Sequence, residues 1–170
     1  MMTLLTWLVQ QLGRLEKALG ITLILAITAM IMAQVITRYF LDLPLAWVEE
    51  LATYAFIWAV FLGASCALRD RRHIAIEAFH LLLTHRQRQW LTLMIWISIL
   101  VFLVVLIPQT FKVMGVESRS NTVSLPIDLP RMWFYSVPLG VSCCSMLLTT
   151  VLGLIENLQR LCLMSKESIS

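Results

Sequence analysis

The chain has 170 residues, of which 59% are hydrophobic and only 14% charged, with a formal net charge of +3. Soluble domains carry about a quarter of their residues as Asp, Glu, Lys and Arg, so this composition leaves too little polar surface to cover an apolar core and excludes a soluble globular domain. The thirteen Lys and Arg lie at the edges of apolar runs and form no stripe, so they give no basis for a nucleic-acid partner.

In residues 1–17, Leu4, Leu8, Leu12 and Leu15 recur every three or four positions and continue to Leu19. Gln10, Gln11, Arg14 and Lys17 fall on other faces, which predicts an amphipathic helix lying in the membrane interface. No basic stretch precedes this segment and no small-residue cleavage site follows, so it is expected to be retained rather than removed as a signal peptide. Residues 18–38 form the first span, with no charge between Lys17 and Arg38. The second span, 44–68, opens at Pro44, where a missing N–H costs nothing, and places Glu49 and Glu50 near the helix N-terminus. Along it, Ala55, Ala59, Gly63 and Ala67 repeat every four residues, a narrow face on which another helix can approach closely.

The link 69–89 carries five arginines, and its middle, HIAIEAFHLLLTH, is too short to span and apolar enough to lie in the interface. A third span at 90–111 contains Pro108, which predicts a kink. The link 112–131, rich in Ser, Gly and Pro, reads as an ordered loop or short broken helix. A fourth span at 132–156 and a tail at 157–170 complete a single membrane domain. The fold class is therefore an all-α integral membrane protein: four transmembrane helices, an N-terminal amphipathic interfacial helix and a cytoplasmic interfacial segment between helices 2 and 3. Arg14 and Lys17, the five arginines of 69–89, and Arg160 and Lys166 fall on one bank, against Arg38, Lys112, Arg119 and Arg131 on the other. The positive-inside rule then puts both termini in the cytoplasm.

Chemistry is sparse. No ionisable residue sits mid-span, where such groups are costly and usually functional. Glu49 and Glu50 come nearest. They read either as an interfacial ion pair with Arg38 that fixes the hairpin or as a coupling-ion ligand. His73, Glu77 and His80 can share a helical face, but they lack a fourth ligand, so interfacial packing is the reading and no metal or cofactor is expected. All three histidines, His73, His80 and His85, lie outside the spans, which disfavours a haem-bearing bundle. The four cysteines show no CxxC spacing and are expected to be buried free thiols. Trp7, Trp47, Trp90 and Trp133 mark span ends as an aromatic belt. Trp58 and Trp96 lie deeper and are expected to pack or to meet lipid, with a partner groove as the alternative. This is a bundle with helix faces for partners and no site of its own.

The pattern Arg38-Tyr39-Phe40, Pro44-Leu45, Trp47, Glu49-Glu50, Phe56, Trp58, Phe61-Leu62-Gly63-Ala64, Ala67, Arg69 and His73-Ile74, with Glu77, resembles the small membrane subunit of tripartite ATP-independent periplasmic (TRAP) transporters, the DctQ-like family. Leu125-Pro126 and Tyr135 to Gly140, including Pro138, support the match. The resemblance implies three components. A periplasmic substrate-binding protein captures an organic acid, a large multi-span subunit moves it by a sodium-driven elevator motion, and the small subunit anchors and enlarges the static scaffold. Sodium would then bind the partner, membrane lipids would surround the chain, and the substrate would be sialic acid or a C4-dicarboxylate, with a lean to sialic acid. On that basis Arg38, Trp47, Glu49, Glu50, Ala59, Gly63, Ala67, Arg69, His73, Pro126 and Pro138 are expected at structural or partner contacts. Two other readings stay open. A self-sufficient homodimeric transporter working through Glu49 or Glu50 predicts uptake by the purified chain, and a membrane anchor of a redox complex predicts a haem band or quinone binding.

Overall fold

The computed structural model describes residues 2–70, 85–126 and 128–167, with side chains for 6–70, 87, 89–126 and 128–159. Four long helices account for most of them: α1 (Met2–Phe40), α2 (Ala46–Arg69), α3 (His85–Glu117) and α4 (Ser136–Glu167), with a 3-10 turn at Arg131–Trp133 before α4. All four are long and apolar enough to cross a membrane, and the protein is a multi-pass membrane protein. The interfacial segment expected within 69–89, and His73, His80 and Glu77 with it, fall outside the described residues.

Helices α1, α3 and α4 run past the apolar stretches that mark them in the sequence, whereas α2 begins at Ala46 and leaves Pro44, expected to open it, in the preceding turn. Hydropathy reports the length in contact with lipid, whereas a helix continues wherever its backbone bonds are satisfied internally. The amphipathic first residues and the first span form one uninterrupted helix of 39 residues. At 1.5 Å per residue α1 is about 58 Å long, nearly twice a hydrocarbon core of about 30 Å. Its end is set by Asp42, which takes a left-handed φ of 52°, a conformation a short polar side chain tolerates. The amides of Leu41 and Leu43 both close onto the Thr37 carbonyl, at 3.1 and 3.3 Å. Helix α3 runs on through Pro108 to Glu117.

The helices form two antiparallel hairpins, α1–α2 and α3–α4, joined chiefly where α2 lies along α4. Only 6% and 11% of the apolar windows of α1 and α3 are buried, against 33% and 44% for α2 and α4, so α2 and α4 are the inner pair. Their crossing is tight because it is built from serines. Ser65 and Ser142 share a hydrogen bond of 2.7 Å, and Ser142 also donates to the Phe61 carbonyl at 2.8 Å. Both serines are almost wholly buried. The outer helices present Ile24, Leu25, Met32, Phe102 and Val105 outward, a surface suited to lipid or another apolar protein.

The hairpins are also offset. Arg69, the last residue of α2, bonds Ser145, which lies early in α4. Measured from that contact, α2 extends back about 35 Å and α4 only about 14 Å. The first turns of α2 therefore stand beyond the start of α4, and the link 118–135 fills the step. Thr122 N–H bonds the Leu129 carbonyl and Arg131 N–H bonds the Ser120 carbonyl, at 3.0 and 2.8 Å, giving the link a bridged, ordered shape.

Candidate functional site

Two polar clusters hold the helices in place, one at each end of α2. At the N-terminal end, Glu49 and Glu50 part company. Glu49 accepts a hydrogen bond from Gln34 Nε2 of α1 at 2.6 Å, fixing the first hairpin. Glu50 turns toward the offset link, where the successive backbone N–H groups of Val123, Ser124 and Leu125 donate to its carboxylate at 3.0, 2.5 and 2.9 Å. The Tyr54 hydroxyl, one turn along α2, donates to it as well. Consecutive amides converging on a carboxylate make an anion nest in which the anion is the protein's own side chain. The run of donors stops at Pro126, which has no N–H.

Aromatic packing extends this clasp. The Tyr54 ring stacks on Phe134 with centroids 4.1 Å apart and meets Tyr135 edge-on at 5.6 Å, while the Arg131 guanidinium lies 5.3 Å from the Tyr135 ring centre. Neither glutamate pairs with Arg38, contrary to the expected interfacial ion pair. Arg38 is exposed at the end of α1, where a guanidinium is cheaply solvated, and both carboxylates instead find uncharged donors on other segments.

At the C-terminal end of α2, Arg69 donates through Nη1 to Glu16 of α1 at 2.9 Å and through Nη2 to Ser145 of α4 at 2.8 Å. One side chain thus ties three helices. The pair is largely dry, with 13% of the Arg69 side chain and 4% of the Glu16 side chain exposed. Gly13 makes the crossing possible, since a Cβ there would stand 2.3 Å from Arg69 Nη1. Glu16 and Gly13 were missed by the sequence reading. Their signal was that Glu16 is the one acidic residue before Asp42, and that an antiparallel hairpin turning near Pro44 brings residues 13–16 opposite the end of α2.

Among the other expected residues, Trp47 is exposed, as are Trp7, Trp90 and Trp133, in keeping with an aromatic belt. Trp96 is buried against Gly153. Ala59 is buried, whereas Gly63 and Ala67 are exposed, and a Cβ at Gly63 would meet nothing within 4 Å among the described residues. Pro138 is fully buried in the first turn of α4, Pro126 is exposed, and His73 lies outside the described residues. Of the expected buried thiols, Cys143 is buried and Cys144 exposed. Between α1 and the α3–α4 hairpin lies a cleft of about 460 Å³, lined by Leu12, Ile107, Phe111, Val141 and other apolar groups, with the Glu16 carboxylate as its charged member. No group of three or more His, Cys, Asp and Glu that could hold a metal occurs among the described residues.

The family described as tripartite ATP-independent periplasmic transporters, DctQ component, matches residues 27–160. The chain belongs to this family. As a DctQ component it is 32% identical over 128 residues to the sialic acid TRAP transporter permease protein SiaT of Haemophilus influenzae (strain 86-028NP), a match covering 73% of this chain and 20% of SiaT. It is 27% identical over 129 residues to the sialic acid TRAP transporter small permease protein SiaQ of Vibrio cholerae serotype O1 (strain ATCC 39315 / El Tor Inaba N16961), covering 75% of this chain and 73% of SiaQ. The DctQ-like chain thus spans about a fifth of the length of SiaT. The matched region contains the Glu50 clasp and Arg69 but not Gly13 and Glu16.

Proposed function

We propose that this chain is the small permease subunit of a sodium-coupled TRAP transporter for an organic acid, with sialic acid favoured over C4-dicarboxylates. In this reading it braces the static scaffold of a large, multi-span elevator subunit in a bacterial inner membrane, with both termini cytoplasmic, and has no enzymatic role. The observation that carries the reading is the match to SiaT, in which a stretch like this chain makes up only a fifth of one longer permease polypeptide. The remaining four-fifths of SiaT is where we assign the moving transport unit, the counterpart of the large subunit proposed as this chain's partner.

The geometry supports a bracing role. Glu49 and Glu50, the residues a self-sufficient transporter would use for coupling, are both engaged, Glu49 by Gln34 and Glu50 by three backbone amides and Tyr54. The cleft between α1 and the α3–α4 hairpin is lined by apolar groups and a carboxylate, Glu16, already paired with Arg69, so its lining offers an organic acid no cation. The ordered link at the far end of α2, held by Glu50, is a preformed surface for a periplasmic substrate-binding protein.

Reconstitution tests this directly. The chain should copurify with a large polytopic partner, and sodium-driven sialic acid uptake into proteoliposomes should require both polypeptides plus the binding protein. Full-rate uptake by the large subunit alone would defeat the reading, and uptake by this chain alone would favour the homodimeric alternative.

A further inference from the structure

We infer that the groove between the N-terminal third of α1 and the last turn of α2 is a binding site for the phosphate head group of an anionic phospholipid. A pocket of about 300 Å³ lies there, lined by Gln10, Gly13, Arg14 and Lys17 of α1 and by Cys66, Arg69 and Asp70 of α2. The α1 members fall at i, i+3, i+4 and i+7, one face of one helix. Three cations meet one acid in this pocket. Arg69 is already engaged through Nη1 and Nη2, and its buried Nε–H has no partner among the described residues. Arg14 and Lys17 are exposed, long and free to swing, and they supply the charge that meets an incoming phosphate. Gln10 adds a neutral donor at the rim.

The same face says what is attached to that phosphate. Continuing along α1 from Lys17, the next positions on this face are Gly20, Ile21 and Ile24. A Cβ at Gly20 would meet nothing within 4 Å, and the two isoleucines are 53% and 57% exposed. A basic dish that opens onto an apolar track, on a helix that enters a bilayer, matches a phosphodiester bearing acyl chains. A free phosphate would use the dish and leave the track uncovered. Basic pockets between transmembrane helices are established head-group sites, each Lys or Arg near the surface strengthening the attraction. With Arg69 neutralised by Glu16, Arg14 and Lys17 still outnumber Asp70, and the net positive pocket favours a singly anionic head group over a zwitterionic one. The site lies in the chain's own hairpin and does not depend on the transport reading.

The test uses the full chain, purified in detergent and delipidated, with thermal unfolding and native mass spectrometry as readouts. Phosphatidylglycerol, phosphatidylethanolamine, phosphatidylcholine and inorganic phosphate serve as the probes. Phosphatidylglycerol should raise the unfolding midpoint and be retained on the chain, while the two zwitterionic lipids and inorganic phosphate should do so weakly. The Arg14→Gln/Lys17→Gln variant should bind phosphatidylglycerol about 30-fold more weakly, from the loss of two such charges. The Arg14→Lys/Lys17→Arg variant should retain it, which separates lost charge from lost folding. Equal retention of all three lipids, or undiminished phosphatidylglycerol binding by the Gln variant, would overturn the inference. Stabilisation by inorganic phosphate equal to that by phosphatidylglycerol would replace the lipid with a soluble anion and overturn it as well.

Discussion

Arg69 at the end of α2 and Glu16 in α1 are 53 positions apart in the chain and joined at 2.9 Å. Their charges are almost wholly removed from solvent, and a third helix enters through Ser145. A pair of this kind adds little net stability over an apolar replacement, but losing one partner strands the other. Arg69→Met is therefore expected to destabilise the chain by about 3–5 kcal/mol, whereas Arg69→Met combined with Glu16→Gln should recover most of that loss. Thermal unfolding of the three proteins in one detergent checks it, and additive losses would mean that the two side chains are not coupled.

Glu49 and Glu50 are neighbours with unlike duties, so the same substitution should part them. Glu50→Gln turns an amide N–H₂ or a weaker neutral oxygen toward three backbone donors. Hydrogen bonds to charged groups contribute about 1.5–3 kcal/mol. On that scale the amides of Val123, Ser124 and Leu125 should exchange hydrogen about 10- to 100-fold faster. Glu49→Gln keeps a carbonyl oxygen to accept from Gln34 and should leave exchange in the link unchanged. Hydrogen–deuterium exchange over 118–135 decides between this division of labour and two equivalent glutamates.

How much of this was legible beforehand follows from what the bilayer imposes. The four spans could be read because a helix crossing hydrocarbon must be long and apolar. The polar ties could not be read, because they depend on the offset between hairpins, which is a property of packing. The Ser65–Ser142 crossing and the Arg69–Ser145 bond hold α2 and α4 at that offset. With the helices level, Glu50 would face no link amides and Arg38 would be a reasonable partner, as expected from sequence. The four-residue repeat of small side chains marked a face open to a helix of this chain or of a partner, while the close crossing observed within the chain uses serines on a neighbouring face.

The serine crossing makes its own prediction. Ser142 is 1% exposed and bonds both Ser65 and the Phe61 carbonyl, so it fixes the spacing between α2 and α4. Ser142→Ala should cost about 1 kcal/mol for the lost hydrogen bonds, within the small range such bonds contribute between membrane helices. Ser142→Leu should cost about 1–3 kcal/mol or more through overpacking. Comparing the two unfolding midpoints tests whether spacing or bonding dominates, and a Leu variant as stable as the Ala variant would show that the helices can part freely.

Two glycines separate a contact made within the chain from one made outside it. A Cβ at Gly153 would stand 2.5 Å from the Trp96 ring, which packs flush against the α4 backbone, whereas a Cβ at Gly63 would meet nothing within 4 Å. Gly153→Ala should therefore cost about 1–3 kcal/mol of stability in the isolated chain, because the indole must shift out of a filled space. Gly63→Leu should leave the isolated chain as stable as the parent, or slightly more so once a helical glycine is removed. If the large subunit covers the outward face of α2, Gly63→Leu should nonetheless weaken copurification and sialic acid uptake, because a leucine holds two helix backbones apart where glycine let them touch. Intact stability with lost copurification would map the partner to this face. Intact stability with undiminished uptake would assign the face to lipid and move the partner contact to the apolar surfaces of α1 or α3.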